Sequence, residues 1–261
     1  MQKDFTVFSF RASDGNTVKL EYRQSLPSTV ALAKDYAKMG YPDRYAVFAE
    51  QQTEASAVGT TVADGESEKG VFLSCILRPS ISPSQVGIIG PLGALAFALA
   101  LEEHTMKKID IGWISDIYCD GVKIGGVTIE GKLDSNTSYE YLILSFAVKL
   151  DEKNFQPRLT DMVRQVFEEN CVSVPMIIAK TVLNKFFSVY TELRTPEKHL
   201  NNYISRFALA DKKITYLEKG KKKSAKVIGV NEDDITLNIE LRDGRKINIS
   251  SASSVIIPNK L

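Results

Sequence analysis

A lysine followed closely by two glycines is the first feature of the sequence that could act on a ligand. Lys123 stands in the run Gly121-Val122-Lys123-Ile124-Gly125-Gly126. Glycine has no Cβ, so the backbone at Gly125 and Gly126 can pass close to a ligand at which the lysine directs its charge. Taken by itself, the local sequence favours a solvated lysine on a bulged hairpin.

A carboxylate and the single tryptophan precede this run. Asp116 follows Trp113 by three residues, in Ile-Gly-Trp-Ile-Ser-Asp-Ile-Tyr. A carboxylate at a strand end can accept a hydrogen bond from a ligand or hold a metal ion, and an indole can stack on a flat ring. The alternatives are an aspartate that only shapes a turn and a tryptophan that only fills the core.

Polar side chains at the start of a long loop are a third candidate. Gln51, Gln52 and Thr53 open the segment Gln51–Gly70, which is polar, rich in small residues and without periodicity. Loops of this length within a compact domain are usually ligand-binding or disordered. Gln52 could therefore bond the polar head of a ligand, with an ordinary polar loop as the alternative.

The remaining reactive residue types do not indicate a metal or nucleophile site. His104 and His199 lie far apart, and none of the three cysteines belongs to a CxxC pair. The cysteine usage favours buried free thiols in a reducing compartment. We therefore predict no metal site.

Charge and apolar patterning limit the partners. Lys plus Arg total 33 and Asp plus Glu total 32, so no global field attracts the chain to nucleic acid or a membrane. The basic run Lys219–Lys223 favours a solvated turn. The first residues do not resemble a secretory signal, and the apolar stretch Ile88–Leu101 is too short to span a bilayer. These patterns predict a cytoplasmic protein that contacts neither DNA nor a membrane.

Periodicity and turn residues predict the elements that hold these candidates. Strands at Phe5–Phe10 and Thr17–Tyr22 join at Asp14-Gly15-Asn16, and a helix begins at Ser28 or Thr29 and ends at Gly40. The next predicted elements are strands at Tyr45–Glu50 and Val71–Arg78, a buried helix within Ser84–Thr105, two strands within Ile109–Glu130 joined at Asp120-Gly121, a strand at Tyr139–Leu150, and helices at Leu159–Asn170, Val174–Leu193 and Pro196–Ser205.

Short strands dominate the last fifty residues. They are predicted at Lys212–Leu217, Ser224–Val230, Ile235–Leu241, Lys246–Ile249 and Val255–Ile257. Five short strands at this spacing are typical of a small barrel. The predicted fold class is therefore α+β, a mixed sheet with packed helices in residues 1–207 followed by a small C-terminal β-barrel in residues 208–261.

Several of these segments together resemble the catalytic domain of biotin–protein ligases, nearly end to end. Leu26-Pro27-Ser28-Thr29 is similar to the family's Asp-Ser-Thr-Asn, and Ala49-Glu50-Gln51-Gln52 is similar to the strand end before its arginine-rich loop. Gly112–Tyr118 resembles the family's Lys-Trp-Pro-Asn-Asp-Ile-Tyr, and Lys123-Ile124-Gly125-Gly126 resembles its Lys-Ile-Gly-Gly. The order and spacing of these segments are more specific than any one of them.

The resemblance implies a two-step reaction in which biotin and ATP, with Mg²⁺, form biotinoyl-adenylate, and a lysine of a biotin carboxyl carrier domain attacks it. Biotin and ATP are then substrates, and no tightly bound cofactor is implied. Lys123 and Asp116 would be the catalytic residues, the lysine binding the biotin carboxylate and the aspartate orienting the attacking lysine or a magnesium ion. The implied substrate-binding residues are Ser28, Thr29, Gln52, Trp113, Gly125 and Gly126.

Three segments depart from the family pattern. The arginine-rich loop falls on residues 55–60, which contain no arginine, and the lysine before the tryptophan is replaced by Gly112. The family's Gly-x-Gly-x-Asn segment falls on Ser145–Lys149, so Ser145 and Ala147 add side chains where a ligand would pass. These departures predict acid binding without efficient adenylation.

Three functions stay open at this point: a working or slow ligase for biotin or a related acid such as lipoate, a pseudo-ligase that acts as a binding or interaction module, and a pocket remade for another small carboxylic acid.

No N-terminal helix-turn-helix is evident, so the DNA-binding form of the family is not expected. Family members often pair through the edge of the central sheet, so the oligomeric state stays open between monomer and homodimer.

Overall fold

A mixed eight-stranded sheet precedes a five-stranded antiparallel sheet near the C-terminus. The computed structural model describes residues 5–54, 68–81, 83–105, 107–134, 138–149, 173–193, 195–218, 220–232, 234–251 and 254–261. The elements are β1 (Thr6–Arg11), β2 (Thr17–Leu26), α1 (Thr29–Lys38), β3 (Tyr45–Gln52), β4 (Glu68–Leu77), α2 (Pro83–Val86), α3 (Ile89–Glu102), β5 (Ile109–Gly112), β6 (Asp116–Cys119), β7 (Val122–Leu133), β8 (Tyr139–Lys149), α4 (Val174–Tyr190), α5 (Glu197–Ser205), β9 (Lys213–Glu218), β10 (Lys221–Val230), β11 (Leu237–Leu241), β12 (Lys246–Ile249) and β13 (Val255–Ile256).

The large sheet has the strand order β1-β2-β3-β4-β8-β7-β6-β5. β2 and β3 pair in parallel because α1 crosses between them, and the other neighbours in this sheet are antiparallel. α1 packs on one face with Ala33 and Ala37, while α3 and α4 pack on the other. A mixed sheet with packed helices was predicted from the sequence, and the structure confirms it.

The helix α3 is buried almost all round. It lies between the large sheet and α4, and Gly93 allows the close approach, since a Cβ there would lie 3.2 Å from Cγ1 of Val127. The sequence predicted a single helix within Ser84–Thr105, but the structure divides this stretch into the short α2 and the longer α3.

The prediction of two strands within Ile109–Glu130 was wrong, because this stretch forms β5, β6 and β7. The turn at Asp120-Gly121 was placed correctly, and both residues have positive φ, 50° and 74°. The missed turn, residues 113–115, contains no Gly, Pro, Asn or Asp, and Ser115 is its one residue of a type that favours turns. It is held instead by Ser115, whose hydroxyl donates to the Val127 carbonyl at 2.6 Å.

The C-terminal sheet has the order β12-β11-β10-β9-β13. Ile235 was predicted to start a strand, but its φ is 58°, and the strand begins at Leu237. The predicted helix Leu159–Asn170 lies outside the described residues. No helix in the described ranges is both long and apolar enough to cross a membrane.

Candidate functional site

Lys123 and Asp116, the two predicted catalytic residues, form an ion pair. Nζ of Lys123 lies 2.8 Å from Oδ1 of Asp116, and their side chains are only 17% and 22% exposed. Asp116 begins β6 and Lys123 follows the turn into β7, where a bulge shifts the register so that Lys123 lies opposite Tyr118. Because residues two apart on β6 share a face and Lys123 lies opposite Tyr118, Asp116, Tyr118 and Lys123 all project from the same face of the sheet.

The environment of Asp116 changes its proton affinity. Burial raises the pKa of this carboxyl group, and although the charge and hydrogen bond of Lys123 lower the pKa, the net pKa stays above its usual value. The carboxylate is therefore a better proton acceptor than an ordinary aspartate. A partly buried lysine beside such a base is an arrangement that can bind an anion and accept a proton from an attacking amine.

The ion pair lies on the wall of a cavity of about 640 Å³. This volume is within the range of small-molecule sites. The cavity opens where the loop of residues 113–115, the α2–α3 junction and the C-terminal segment meet, and its lining includes Trp113, Asp116, Lys123, Thr128, Ile256 and Ile257. The structure thus brings three of the predicted site residues, Trp113, Asp116 and Lys123, to one cavity.

Thr29 and Gln52 lie in a separate buried polar cluster. The backbone N–H and the hydroxyl of Thr29 both donate to Oε1 of Gln52, at 2.7 and 3.0 Å. The Ser74 hydroxyl donates to Thr29 Oγ1 at 2.9 Å and lies 2.9 Å from Ser145 Oγ. All four side chains are almost fully buried. These groups therefore satisfy one another, and none of them lines the cavity.

One strand separates this cluster from the cavity. Ser145 lies directly opposite Thr128 on β7, and Thr128 lines the cavity. In the neighbouring row, Phe72 packs against Ala147 and both are nearly inaccessible. Ser145 and Ala147 therefore fill the interior between the predicted acid-binding residues and Lys123.

The other predicted substrate-binding residues have identifiable structural roles. Ser28 caps α1, since its hydroxyl accepts from the Ala31 N–H at 3.2 Å. Trp113 lines the cavity with its ring, but its indole N–H donates to the Ile235 carbonyl at 2.7 Å.

The two glycines after Lys123 differ from each other. A Cβ on Gly125 would lie 2.1 Å from the Ala147 carbonyl oxygen, so strand pairing alone requires glycine there. Gly126 is buried opposite Ala147, on the face that carries Asp116.

Tyr118 and Ser74 are part of this region but were not singled out from the sequence. Tyr118 is fully buried, its hydroxyl donates to the Pro258 carbonyl at 2.7 Å, and burial raises its pKa. A serine inside the apolar run Val71–Leu77 was the available signal for Ser74. Tyr118 had no such signal, because its partner lies 140 residues later.

Gly112 stands where the family resemblance would place a lysine. A Cβ there would lie 2.7 Å from Cε2 of Tyr118 and 3.2 Å from Cβ of Asp116. The buried tyrosine ring occupies this space in the structure, so a side chain at position 112 would require the ring to shift.

Metal binding has no candidate within the described ranges, where no group of three or more His, Cys, Asp or Glu is arranged to hold an ion. The Lys123–Asp116 pair supports acid–base and anion-binding chemistry.

Comparisons with known proteins find two curated relatives over part of the chain. The bifunctional ligase/repressor BirA of Bacillus subtilis is 28% identical over 144 residues, which cover 55% of this chain and 44% of BirA. The corresponding protein of Bacillus spizizenii is 26% identical over the same length. The chain thus matches less than half the length of these curated relatives. No protein-family model matches the chain.

Solved structures match over most of the chain. The biotin protein ligase of Aquifex aeolicus in complex with biotin and ATP has a TM-score of 0.65 at 17% identity, covering 91% of this chain and 97% of that chain. A biotin protein ligase-like protein of unknown function from Silicibacter has a TM-score of 0.62 at 14% identity, covering 92% and 97%. The biotin protein ligase of Leishmania major with biotinyl-5-AMP has a TM-score of 0.56 at 18% identity, covering 89% and 98%.

Proposed function

Because the chain has a biotin protein ligase-like fold, we propose that it attaches a small carboxylic acid, biotin or a related acid, to a lysine of a carrier domain through an acyl-adenylate. The observation that carries this proposal is the Lys123–Asp116 ion pair on the wall of a ligand-sized cavity. In this proposal the acid and ATP, with Mg²⁺, are substrates, and the carrier resembles a biotin carboxyl carrier domain.

The ion pair would serve both halves of the reaction. The ammonium group of Lys123 has three donors, and it can bind the acid's carboxylate while also holding Asp116. In the second half, the carrier amine attacks the acyl carbon, the C–N bond forms, the bond to the phosphate oxygen breaks and AMP leaves. Asp116, with its raised pKa, would accept the proton that the amine loses.

Adenylation is expected to be slow. Residues 55–60 contain no arginine to stabilise charge on the transferring phosphate. Losing a donor aimed at developing charge costs about 2.7–4 kcal/mol in comparable sites. We therefore expect acid binding to be better preserved than turnover.

A catalytically degenerate pseudo-ligase, acting as a ligand-binding or protein-interaction module, is the second candidate. The self-satisfied cluster of Thr29, Gln52, Ser74 and Ser145 favours it, because these side chains bond one another rather than line the cavity. Cytoplasmic location and absence of DNA binding are further parts of the proposal, and the oligomeric state stays open between monomer and homodimer.

The first experiment is a calorimetric titration with biotin and then with a non-hydrolysable biotinoyl-adenylate mimic. Intact-mass analysis of a carrier domain, with ATP and Mg²⁺, then measures turnover. The ligase proposal expects binding and slow mass addition, both reduced by Lys123→Ala and retained by the control Lys107→Ala, whose ion pair with Asp120 at 2.7 Å lies outside the cavity lining. Absence of binding and of mass addition would favour the pseudo-ligase.

A further inference from the structure

The C-terminal segment Val255–Leu261, called the strap below, runs beside Lys123. Its first residues line the same cavity as Lys123. Further along, the Lys123 N–H donates to the Asn259 carbonyl at 2.8 Å, and the Leu261 N–H donates to the Gly121 carbonyl at 2.8 Å. The strap therefore extends the pairing of the sheet at the start of β7, where Val122 and Lys260 form an antiparallel bridge.

The strap pairs with the backbone of Lys123 beyond the described end of the β7–β8 pairing. Pairing between β7 and β8 begins at Gly125, opposite Val148, so the backbone of Lys123 lies beyond it. A strand end with an open edge frays more readily than a paired one. The bond to Asn259 closes the edge at the residue that carries the ligand-facing ammonium group.

Tyr118 holds the strap from the neighbouring strand. It lies opposite Lys123 in the β6–β7 register, and its hydroxyl donates to the Pro258 carbonyl at 2.7 Å. The ring cannot shift freely, because it is fully buried and packs where a side chain at Gly112 would be. One side chain thus sets the distance between β6 and the strap.

We propose that Tyr118 is a positioning residue, which acts through the strap to hold Lys123 in its ion pair with Asp116. In its consequence for ligand binding, this inference rests on the proposed function, because it takes Lys123 as the group that binds the acid. The strap also connects the C-terminal sheet to the site, since its residues Val255 and Ile256 pair with β9.

The test compares two tyrosine variants that each lose one buried hydroxyl. Tyr118→Phe keeps the ring and removes the bond to Pro258. The control Tyr45→Phe removes a hydroxyl that donates to Glu21 at 2.8 Å, distant from the strap in the sheet order. Reductive methylation of Lys123, quantified by peptide mass spectrometry, measures how firmly its amine is held, and Lys34 in its ion pair with Glu130 is the internal reference.

We expect Lys123 in Tyr118→Phe to be methylated at least threefold faster, with Lys34 unchanged, and Tyr45→Phe to change neither lysine. Leu261→Pro removes the N–H that bonds Gly121 without touching Tyr118, and it should act in the same direction. If Tyr118→Phe does not fold, unchanged methylation of Lys123 in Leu261→Pro would still overturn the inference, because the inference requires the strap to hold Lys123.

Biotin titration of the same variants adds a functional measurement. Where wild type binds the acid, Tyr118→Phe should weaken binding threefold or more, and Tyr45→Phe should not. Wild-type methylation of Lys123 in the folded variants would overturn the inference, whatever the binding result. If wild type binds no acid but Tyr118→Phe exposes Lys123, the positioning role stands and the proposed function fails.

Discussion

Adding one methyl group at Gly112 should destabilise the protein through Tyr118. In Gly112→Ala the new Cβ would lie 2.7 Å from Cε2 of the ring. Carbon atoms in favourable contact are about 3.5–4.0 Å apart, so the ring would have to move by roughly 1 Å. Tyr118 is fully buried and its hydroxyl is bonded to Pro258, so this movement disturbs packing on both sides. Overpacking of this kind costs about 1–3 kcal/mol in free energy of unfolding.

Gly229→Ala is the control, because Gly229 is also a strand glycine, within β10. A Cβ there would have no atom within 4 Å. Within a strand, alanine is favoured over glycine by about 0.5–1 kcal/mol. Urea denaturation followed by circular dichroism should therefore show Gly112→Ala less stable than wild type and Gly229→Ala at least as stable.

The double variant Gly112→Ala/Tyr118→Leu separates the ring contact from other effects. If the clash with the ring is the cause, shortening residue 118 should relieve part of the penalty, giving a coupling energy of about 0.5 kcal/mol or more. Equal stability of Gly112→Ala and wild type would refute the packing argument. An unchanged penalty in the Tyr118→Leu background would refute the ring as its cause.

Further predictions concern the buried cluster, the ion pair and the end of α1. Ser145→Gly removes the hydroxyl beside Ser74 and should lower stability by about 1–2 kcal/mol while tightening biotin binding in calorimetry; binding no tighter than wild type would count against Ser145 as the obstruction. The pKa of Asp116 is raised in the folded protein, mainly by burial. Protonation of this carboxyl group therefore stabilises the fold at pH values below the unfolded pKa of 3.8, and this stabilisation is lost as pH rises through the folded pKa. Urea denaturation should accordingly show the stability of Asp116→Asn relative to wild type increasing as pH rises above 3.8, and a pH-independent difference would contradict the shift. Arg78 donates to the carbonyls of Ala37, Tyr41 and Glu140, so Arg78→Ala should lower the free energy of unfolding by about 2–4 kcal/mol. The control Arg242→Ala, at an exposed position, should change it little. Equal unfolding midpoints for the two variants would show that the three bonds of Arg78 do not stabilise the fold.

The fold was predictable where local signals were strong. The Asp14-Gly15-Asn16 turn, the start of α1 near Ser28 and the buried helix α3 follow from turn residues, capping and composition. The missed strand division at residues 113–115 shows the opposite case. There the only residue that favours a turn is Ser115, and the bond from its side chain to a later strand cannot be read from the local sequence.

The candidate site was predictable only in part. The proximity of Lys123 to Asp116 follows from the hairpin that joins their strands. The closure of Thr29 and Gln52 onto Ser74 and Ser145 depends on the register of β4 and β8, which pairs residues 71 positions apart. The position of the strap could not be predicted for the same reason, because Pro258 and the residue that bonds it, Tyr118, are 140 positions apart in the sequence.

The bond between Trp113 and Ile235 turns the protein's single tryptophan into an optical probe of the contact between the two sheets. An indole that is 2% exposed emits at short wavelength, and separation of the C-terminal sheet would hydrate it and shift its fluorescence to the red. Circular dichroism would report the large sheet over the same denaturation. Coincident transitions would mean that both sheets unfold as one cooperative unit, whereas an earlier fluorescence change would give the free energy of their separation directly.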